Sequence, residues 1–381
     1  MTDWLDWPFF EPRHRELAEQ LDSWCSANLD GAHPHNVDAA CRALVHALGQ
    51  QGLLNLCVAH GDRAPDVRSL AIARATLAYH SGLADFAFAM QGLGSGAISL
   101  FGSGAQKAEW LPKVGNGEAI AAYALTEPDT GSDAANIAMR AEQVGGEWRL
   151  TGEKNYISNG TIADILTVFA RTGSPEDGAK GISAFIVRGD DPGLSVAERI
   201  EVIAPHPLAR LKFEGVKADL LGATGDGFKV AMQTLNLFRV TVGAAALGFS
   251  RRALDEALAY SKTRKLGAAT LANNAVTQDR LGEMAMLNDA SALLIARASW
   301  LQDIGQQDMG TADNRSAAAM AKLHATDAGQ KVIDMALQMH GGLGVTVGAK
   351  VEELYREIRA LRIYEGASEV QRMIIGRSLI K

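Results

Sequence analysis

No proline follows Pro207 in this chain of 381 residues, although ten occur before or at that position. A long proline-free region with apolar residues at helical spacing predicts helices, because nothing in it removes a backbone donor. Cysteine is also scarce. Only Cys25, Cys41 and Cys57 are present. Their number is odd, no CxxC occurs, and all lie near the start, which excludes a disulfide scaffold and a zinc site. Free, buried thiols in a reducing compartment fit best. No basic block is found, and 44 acidic against 37 basic residues leave a net charge of −7. Nucleic acid is therefore not an expected partner. No uninterrupted apolar run approaches the length that spans a bilayer, so no membrane span is expected. The opening MTDWLDWPFFEPRHRELAEQ lacks both the basic start of a signal peptide and the acid-poor character of a transit peptide. A cytoplasmic location is the expectation.

What is present is an ordinary globular composition, 47% apolar and 21% charged, in a chain long enough for two or three packed units. From Gly227, FKVAMQTLNLFRVTVGAAALGFSRRALDEALAYSKTRK reads as one very long helix. VTQDRLGEMAMLNDASALLIARASWLQ and RSAAAMAKLHATDAGQKVIDMALQMH read as two more, the last with Val332, Met335, Ala336 and Met339 on one face. Helices this long and Ala-rich bury best against one another, as a bundle. The first 120 or so residues read as shorter helices: FFEPRHRELAEQLDSWCSANL, NVDAACRALVHALGQQG, DVRSLAIARATLAYHSG and FAFAMQGLGSGAISLFG. Between these regions EWRLTGEKNYISN, DILTVFART, GISAFIVRG, GLSVAERI and ARLKFEGV are short, β-branched and separated by turn residues. That texture predicts an antiparallel β unit. The order is helical (1–122), β (123–222), helical (223–381), without internal repeats.

Four stretches carry chemistry. In YALTEPDTGSD (123–133), Thr126, Thr130 and Ser132 supply hydroxyls and Gly131 opens the backbone to a ligand, so the loop is either a polar-ring or phosphate site or an ordinary turn. In KNYISNG (154–160), Tyr156 offers a ring, and Ser158 points the same way if the segment is a strand. QMHGGLG (338–344) is a glycine-rich helix end, in which His340 reads as a packed or capping residue. In LRIYEGASEVQRMIIG, Glu365 stands where a helix breaks and restarts. It is either a solvated glutamate favoured near a helix N-terminus or a base aimed into a pocket, with Gly366 allowing close approach.

In this order and at these separations, the four stretches resemble the acyl-CoA dehydrogenase family over essentially the whole chain. ALTEPDTGSD is similar to that family's first signature and YEGASEVQR to its last; FGSGAQKAEWLPKVGNGE is similar to the segment leading into the first. No GxGxxG follows a strand, so a nicotinamide-binding Rossmann unit is not supported. The resemblance implies a mainly α protein: an N-terminal helical domain, an antiparallel β-barrel or sandwich, and a C-terminal four-helix bundle. It implies FAD, and a homotetramer in which a neighbouring subunit completes each FAD site. By the same resemblance Tyr123, Leu125, Thr126, Gly131, Ser132, Tyr156, Ile157 and Ser158 contact the flavin. Arg264 meets the FAD pyrophosphate, and Gln338, Met339, Gly341 and Gly342 reach a neighbour's adenine. Ala367, Ser368 and Glu369 add FAD contacts, while Ser132, Asn236, Arg239 and Gly366 line the acyl-CoA site. The implied reaction is oxidation of an acyl thioester at its α and β carbons. Glu365 takes the α-proton, flavin N5 takes the β-hydride, and electrons pass to an electron-transfer flavoprotein.

Three departures accompany the resemblance. Ser158 stands for the usual Thr, Ala367 stands where the last signature usually has Thr, and TRKLG is one residue shorter than the family's Arg-x-x-Phe-Gly, with Leu266 for Phe. Some members carry the base on the long helix, but the matching position here is Phe238, which leaves Glu365 as the candidate. An oxygen-using acyl-CoA oxidase or flavin monooxygenase relative, and a flavin-free helical scaffold, are the competing readings. FAFAMQGLGSG (86–96) is the expected acyl-pocket lining.

Overall fold

The computed structural model describes residues 3–29, 35–61, 63–305 and 312–380. Five helices come first: α1 (Pro12–Asn28), α2 (Val37–Gln50), α3 (Val67–His80), α4 (Gly82–Phe101) and α5 (Gly104–Gly115). Seven strands follow: β1 (Ala121–Ala124), β2 (Arg140–Val144), β3 (Glu147–Ser158), β4 (Ile165–Arg171), β5 (Ile182–Arg188), β6 (Leu194–Arg199) and β7 (Leu208–Leu221). The rest is helical but for a small hairpin: α6 (Gly227–Thr263), β8 (Lys265–Leu266), β9 (Ala269–Thr270), α7 (Ala275–Ile304), α8 (Ala312–His340), α9 (Lys350–Leu361) and α10 (Ser368–Leu379).

The chain folds as two compact units, one of Met1–His33, Asp66–Asp85 and Arg239–Lys381, the other of Pro34–Pro65 and Phe86–Phe238. In the second, the strand pairings run β1-β4-β2-β3-β7-β5 and return from β5 to β4, with β6 on β7, which closes a small barrel. Two of the pairings, β1 with β4 and β2 with β4, are parallel, so the sheet is mixed rather than wholly antiparallel. β4 and β5 explain the closure. Alternate residues go to two cores: Ile165, Phe169, Ile182, Ala184 and Ile186 pack with Ile98, Trp110 and Leu111 of α4 and α5. Leu166, Val168, Phe185 and Val187 pack with Leu150, Leu211 and Phe213 inside the barrel. A strand covered on both faces reads as a near-continuous apolar run, as ILTVFA does with its one polar residue, Thr167, bonded to the Gly94 carbonyl.

In the first unit, α8 packs against α7, α9 and α10. Its small residues Ala318, Ala321 and Ala325 are buried, and glycines of α6 allow backbones to approach closely. A Cβ at Gly248 would collide with the Ala75 carbonyl of α3. Among the described residues one helix, α6, is long and apolar enough to cross a membrane, but 78% of its most apolar window is buried inside the protein, as in a core helix. The expected face of α8 is rotated slightly. Val332, Ile333 and Ala336 are buried, whereas Met335 and Met339 are half-buried.

Candidate active site

α9 ends at Leu361 and α10 begins at Ser368; the turn between them carries Glu365. Two successive residues of that turn lie in the left-handed region, Glu365 at φ +52 and Gly366 at φ +89. Glycine tolerates this without cost, but glutamate does not, at about 1–2 kcal/mol. Such strain persists only where surrounding contacts over-determine it, and here they do. From α8, Asp327 Oδ1 accepts from Arg362 Nε at 2.7 Å and from Ser368 Oγ at 3.3 Å, while Oδ2 accepts from Arg372 at 3.1 Å. One aspartate thus pins both ends of the turn. Gln371 of α10 donates to the Gly366 carbonyl at 2.8 Å and the Glu365 carbonyl at 3.3 Å. Lys322 of α8 donates to the carbonyls of Tyr364 at 2.8 Å and Gly366 at 2.5 Å.

The Glu365 side chain is half-buried, and its Oε2 is shielded with no hydrogen-bond partner among the described residues. The backbone N–H groups of Glu365, Gly366 and Ala367 likewise have no acceptor among them. Burial pushes the carboxyl above its ordinary range, even though Arg74, Lys322 and Arg239 pull it down; Asp85 adds to the rise. The surrounding charges are themselves buried. Arg74 grips Asp85 with two bonds of 2.8 and 2.7 Å and reaches Thr241 Oγ1 at 3.2 Å. Arg239 of α6 is 7% exposed, and burial lowers its pKa although Glu365 opposes the shift. Desolvation pushes Lys322 down to about 8, against the attraction of Glu365. The sum is a carboxylate with a free oxygen, set among fixed cations. A solvated helix-start glutamate would show none of these features.

The other unit gathers the two stretches expected to contact a flavin, 123–133 and 154–160. The N–H of Asn155 donates to the Thr126 carbonyl at 2.9 Å. Lys154, fully buried, donates to the Leu125 carbonyl at 2.9 Å and to Glu127 Oε1 at 2.8 Å. Glu127 in turn accepts from the N–H groups of Ala138 at 2.6 Å and Met139 at 3.1 Å, which closes the 127–138 loop. Tyr123 hydrogen-bonds the Ala231 carbonyl at 3.2 Å. Tyr156 and Ser158 lie on the side opposite the buried Ile157, but the alternation along β3 changes phase just before them. The pairing of β3 with β7 shifts register between Lys154 and Ile157, and Tyr156 sits at φ +55. This bulge turns the ring out to 60% exposure while Ile157 points inward at 1%. Asn159, two residues beyond Ile157, also has positive φ, and its Nδ2 donates a hydrogen bond to the Ala121 carbonyl at 3.0 Å.

Among the described residues, the hydroxyls of Thr126, Ser132 and Ser158 have no protein partner, and Gly131 faces open space. An exposed ring beside free hydroxyls fits the flat, polar-edged face of a flavin, so the residues present fit FAD. Tyr156 is among the exposed large hydrophobics that a ligand would cover.

The remaining candidates are distributed as follows. Arg264 is exposed at the end of α6, before the β8–β9 hairpin that the shortened TRKLG forms through Gly267 at φ +63. In the same unit Gln338, Gly341 and Gly342 are exposed and Met339 half-buried. His340 packs as expected: its ring stacks on Tyr260 at 4.3 Å, and its Nδ1 lies 2.7 Å from the Ala336 carbonyl. Ala367 caps α10, Glu369 is exposed, and Ser368 is buried with its hydroxyl on Asp327 rather than free for a ligand. Asn236 is half-buried on α6 and belongs to the unit that carries the flavin stretches, whereas Arg239 belongs to the unit with Glu365. Sequence reasoning missed Lys322, Arg74, Asp85, Asp327, Gln371 and the Glu127–Lys154 pair. For Lys322 and Arg74 the one available signal was a charge inside an apolar run, AAAMAKLHA and SLAIARATLA.

Comparison with known proteins bears on the whole chain. The acyl-CoA dehydrogenase N-terminal, middle and C-terminal domain families match residues 11–118, 122–216 and 225–380. A probable acyl-CoA dehydrogenase of Mycobacterium tuberculosis is 33% identical over 397 aligned positions covering 100% of both chains. Among solved structures, butyryl-CoA dehydrogenase of Megasphaera elsdenii superposes with a TM-score of 0.85 at 29% identity, covering 98% of this chain and 99% of its own. An acyl-CoA dehydrogenase of Bacillus anthracis, complexed with FAD, gives 0.89 at 27% identity over 97% of this chain and 68% of its own. The chain belongs to the acyl-CoA dehydrogenase family and is an FAD-dependent oxidoreductase.

Proposed function

We propose that this enzyme introduces an α,β double bond into an acyl-CoA thioester, with Glu365 as the base that takes the α-proton. The observation that carries the reading is the partnerless Glu365 Oε2, desolvated and held on a strained turn beside free backbone N–H groups. An α-proton is weakly acidic, so its removal needs a base of raised pKa and donors for the thioester oxygen as it gains charge. The Glu365 N–H is one such donor. Arg74, Arg239 and Lys322 keep the ionised carboxylate accessible against the penalty of burial. Bound FAD supplies the acceptor for the hydride that leaves the β-carbon. Tyr156 would cover the flavin ring, and Tyr123, Leu125, Thr126, Gly131, Ser132, Ile157 and Ser158 would hold its polar edge. Arg264, Gln338, Met339, Gly341, Gly342, Ala367 and Glu369 would serve the rest of the cofactor, the middle four on a neighbouring subunit. Asn236, Arg239 and Gly366 would line the acyl-CoA site.

The same reading includes a homo-oligomer, most simply a tetramer, with an electron-transfer flavoprotein as electron acceptor, in the cytoplasm, and a division into domains at 1–122, 123–222 and 223–381. Exposure of Leu343 at 51%, Val345 at 66% and Val347 at 82%, next to the glycine-rich helix end, supports self-association. The test is a panel of saturated acyl-CoAs of varied length and branching, incubated with FAD-loaded enzyme and an artificial electron acceptor. A product lighter by two hydrogens, with a double bond conjugated to the thioester, is expected from at least one. FAD-loaded enzyme that oxidises none of them contradicts the reading.

A further inference from the structure

We propose that Lys322 is the positioning residue for Glu365: its ammonium grips the carbonyls on either side of the glutamate, fixes the left-handed turn and lends the base a buried cation. The inference rests on the reading of Glu365 as the base. The chain separates Lys322 from Glu365 by more than forty residues, yet α8 delivers the ammonium to within 2.8 Å of Tyr364 O and 2.5 Å of Gly366 O. The side chain is 1% exposed. A buried ammonium is costly unless its donors find acceptors, and here two carbonyl oxygens of the turn accept from it, with no ion pair to a carboxylate among the described residues. At this site a methionine would fill the same space in the bundle without that cost. What methionine could not do is hold two carbonyls whose intervening residue is strained at φ +52.

The three supports of the turn, Asp327, Gln371 and Lys322, are separable. Asp327, about one and a half helical turns along α8 from Lys322, ties Arg362, Ser368 and Arg372. The ends of the turn therefore stay anchored without Lys322, and Gln371 still donates to the Glu365 and Gly366 carbonyls; what is lost is the hold on the Tyr364 carbonyl, the second donor to Gly366 and the cation beside Glu365. Other charged and titratable groups face the base from every element packed there: Arg74 from α3, Asp85 from α4, Arg239 from α6 and Tyr364 from the turn. Arg315 acts on Arg239, while Asp327 and Glu369 act on Lys322. Arg74 is committed to its pair with Asp85. Arg74 is still the strongest of the cations that hold down a carboxyl that burial raises; Lys322 comes next, ahead of Arg239, and alone among the three it also grips the turn's carbonyls.

The sign follows. A base works ionised, so kcat/KM falls as pH drops through the Glu365 pKa. Removing a cation raises that pKa further and moves the acidic limb to higher pH. In FAD-loaded Lys322→Met, the limb of kcat/KM should move up by about one pH unit, and kcat should fall about 100-fold from misplacement of the carboxylate. FAD content should stay at the wild-type level. Lys322→Arg keeps the charge but not the compact two-carbonyl grip. Its limb should stay within about 0.3 units of wild type while kcat falls about tenfold. A merely structural strut would lower stability without moving the limb. Lys322→Met with unchanged kcat and an unmoved limb overturns the proposal. If that variant does not fold, Lys322→Arg with wild-type kcat overturns it instead. Glu365→Gln, run alongside, separates the two claims. Flavin reduction at the wild-type rate in that variant removes the base assignment, whereas an inactive Glu365→Gln beside an unaltered Lys322→Met removes only the role of Lys322.

Discussion

Lys154→Met should loosen the 125–138 loop more than any exposed substitution in it. The lysine is 0% exposed and joins three groups: its own strand, the Leu125 carbonyl at 2.9 Å and Glu127 at 2.8 Å. Breaking a buried ion pair by removing one partner costs about 3–5 kcal/mol, because the other charge stays buried. Glu127 keeps two N–H donors, from Ala138 and Met139, so the lower end, about 3 kcal/mol, applies. That loss falls on the segment carrying Thr126, Gly131 and Ser132. Spent in opening the loop, it lowers the binding-competent fraction and weakens apparent FAD affinity by up to about 150-fold. Titration of apoprotein with FAD measures the affinity, and thermal unfolding of the holoenzyme gives an independent reading of stability. A double-mutant cycle with Glu127→Gln isolates the pair, with a coupling of about 2 kcal/mol expected. Strict additivity of the two single variants, or wild-type FAD affinity in Lys154→Met, would refute the reasoning.

Other expectations follow from the same coordinates. Gly366→Ala places a Cβ 2.5 Å from Gln371 Nε2 at φ +89, so kcat should fall at least about tenfold while FAD content is unchanged, checked by steady-state kinetics and flavin release. Burial alone would raise the Asp66 carboxyl, but bonds involving His14, Asp303 and Ser69 and the nearby Arg13 outweigh it and hold it well below the usual range. Its stabilisation is therefore present above about pH 4 and lost as pH falls toward its folded value. Asp66→Asn should lower thermal stability at pH 7 by about 1–3 kcal/mol and flatten the acid side of the stability profile. Light scattering after size exclusion should show an oligomer; Val345→Asp with Val347→Asp should shift it toward smaller species.

The long helices were legible because nothing interrupts them: α6, α7 and α8 carry apolar spacing across a proline-free stretch. α5 was not, since Pro112 lies inside it and its periodicity is short. β1 and β2 escaped for another reason. They are four and five residues long, and β1 joins the sheet by a parallel pairing that no hairpin signal announces. Glu365, Tyr156 and Asn159 were singled out or quoted from the sequence, yet their shared backbone property was not. All three are non-glycine residues with positive φ; the Tyr156 N–H bonds locally to Asn155 Oδ1 at 3.0 Å, but nothing local in YEG fixes Glu365. The fixing groups, Lys322, Gln371 and Ala121, come from elsewhere in the chain. Tertiary partners of this kind are invisible to periodicity, which reports only the face a residue occupies.

The central claim is that Glu365 removes the α-proton. Glu365→Gln keeps the side chain's size and polarity but leaves no base, so about 10²–10⁴-fold of rate should be lost. The measurement is anaerobic stopped-flow of the FAD-loaded variant mixed with an oxidisable acyl-CoA, following loss of the yellow flavin absorbance. The account predicts a yellow protein that binds acyl-CoA and stays yellow on the timescale in which wild type bleaches. Bleaching at the wild-type rate would contradict it.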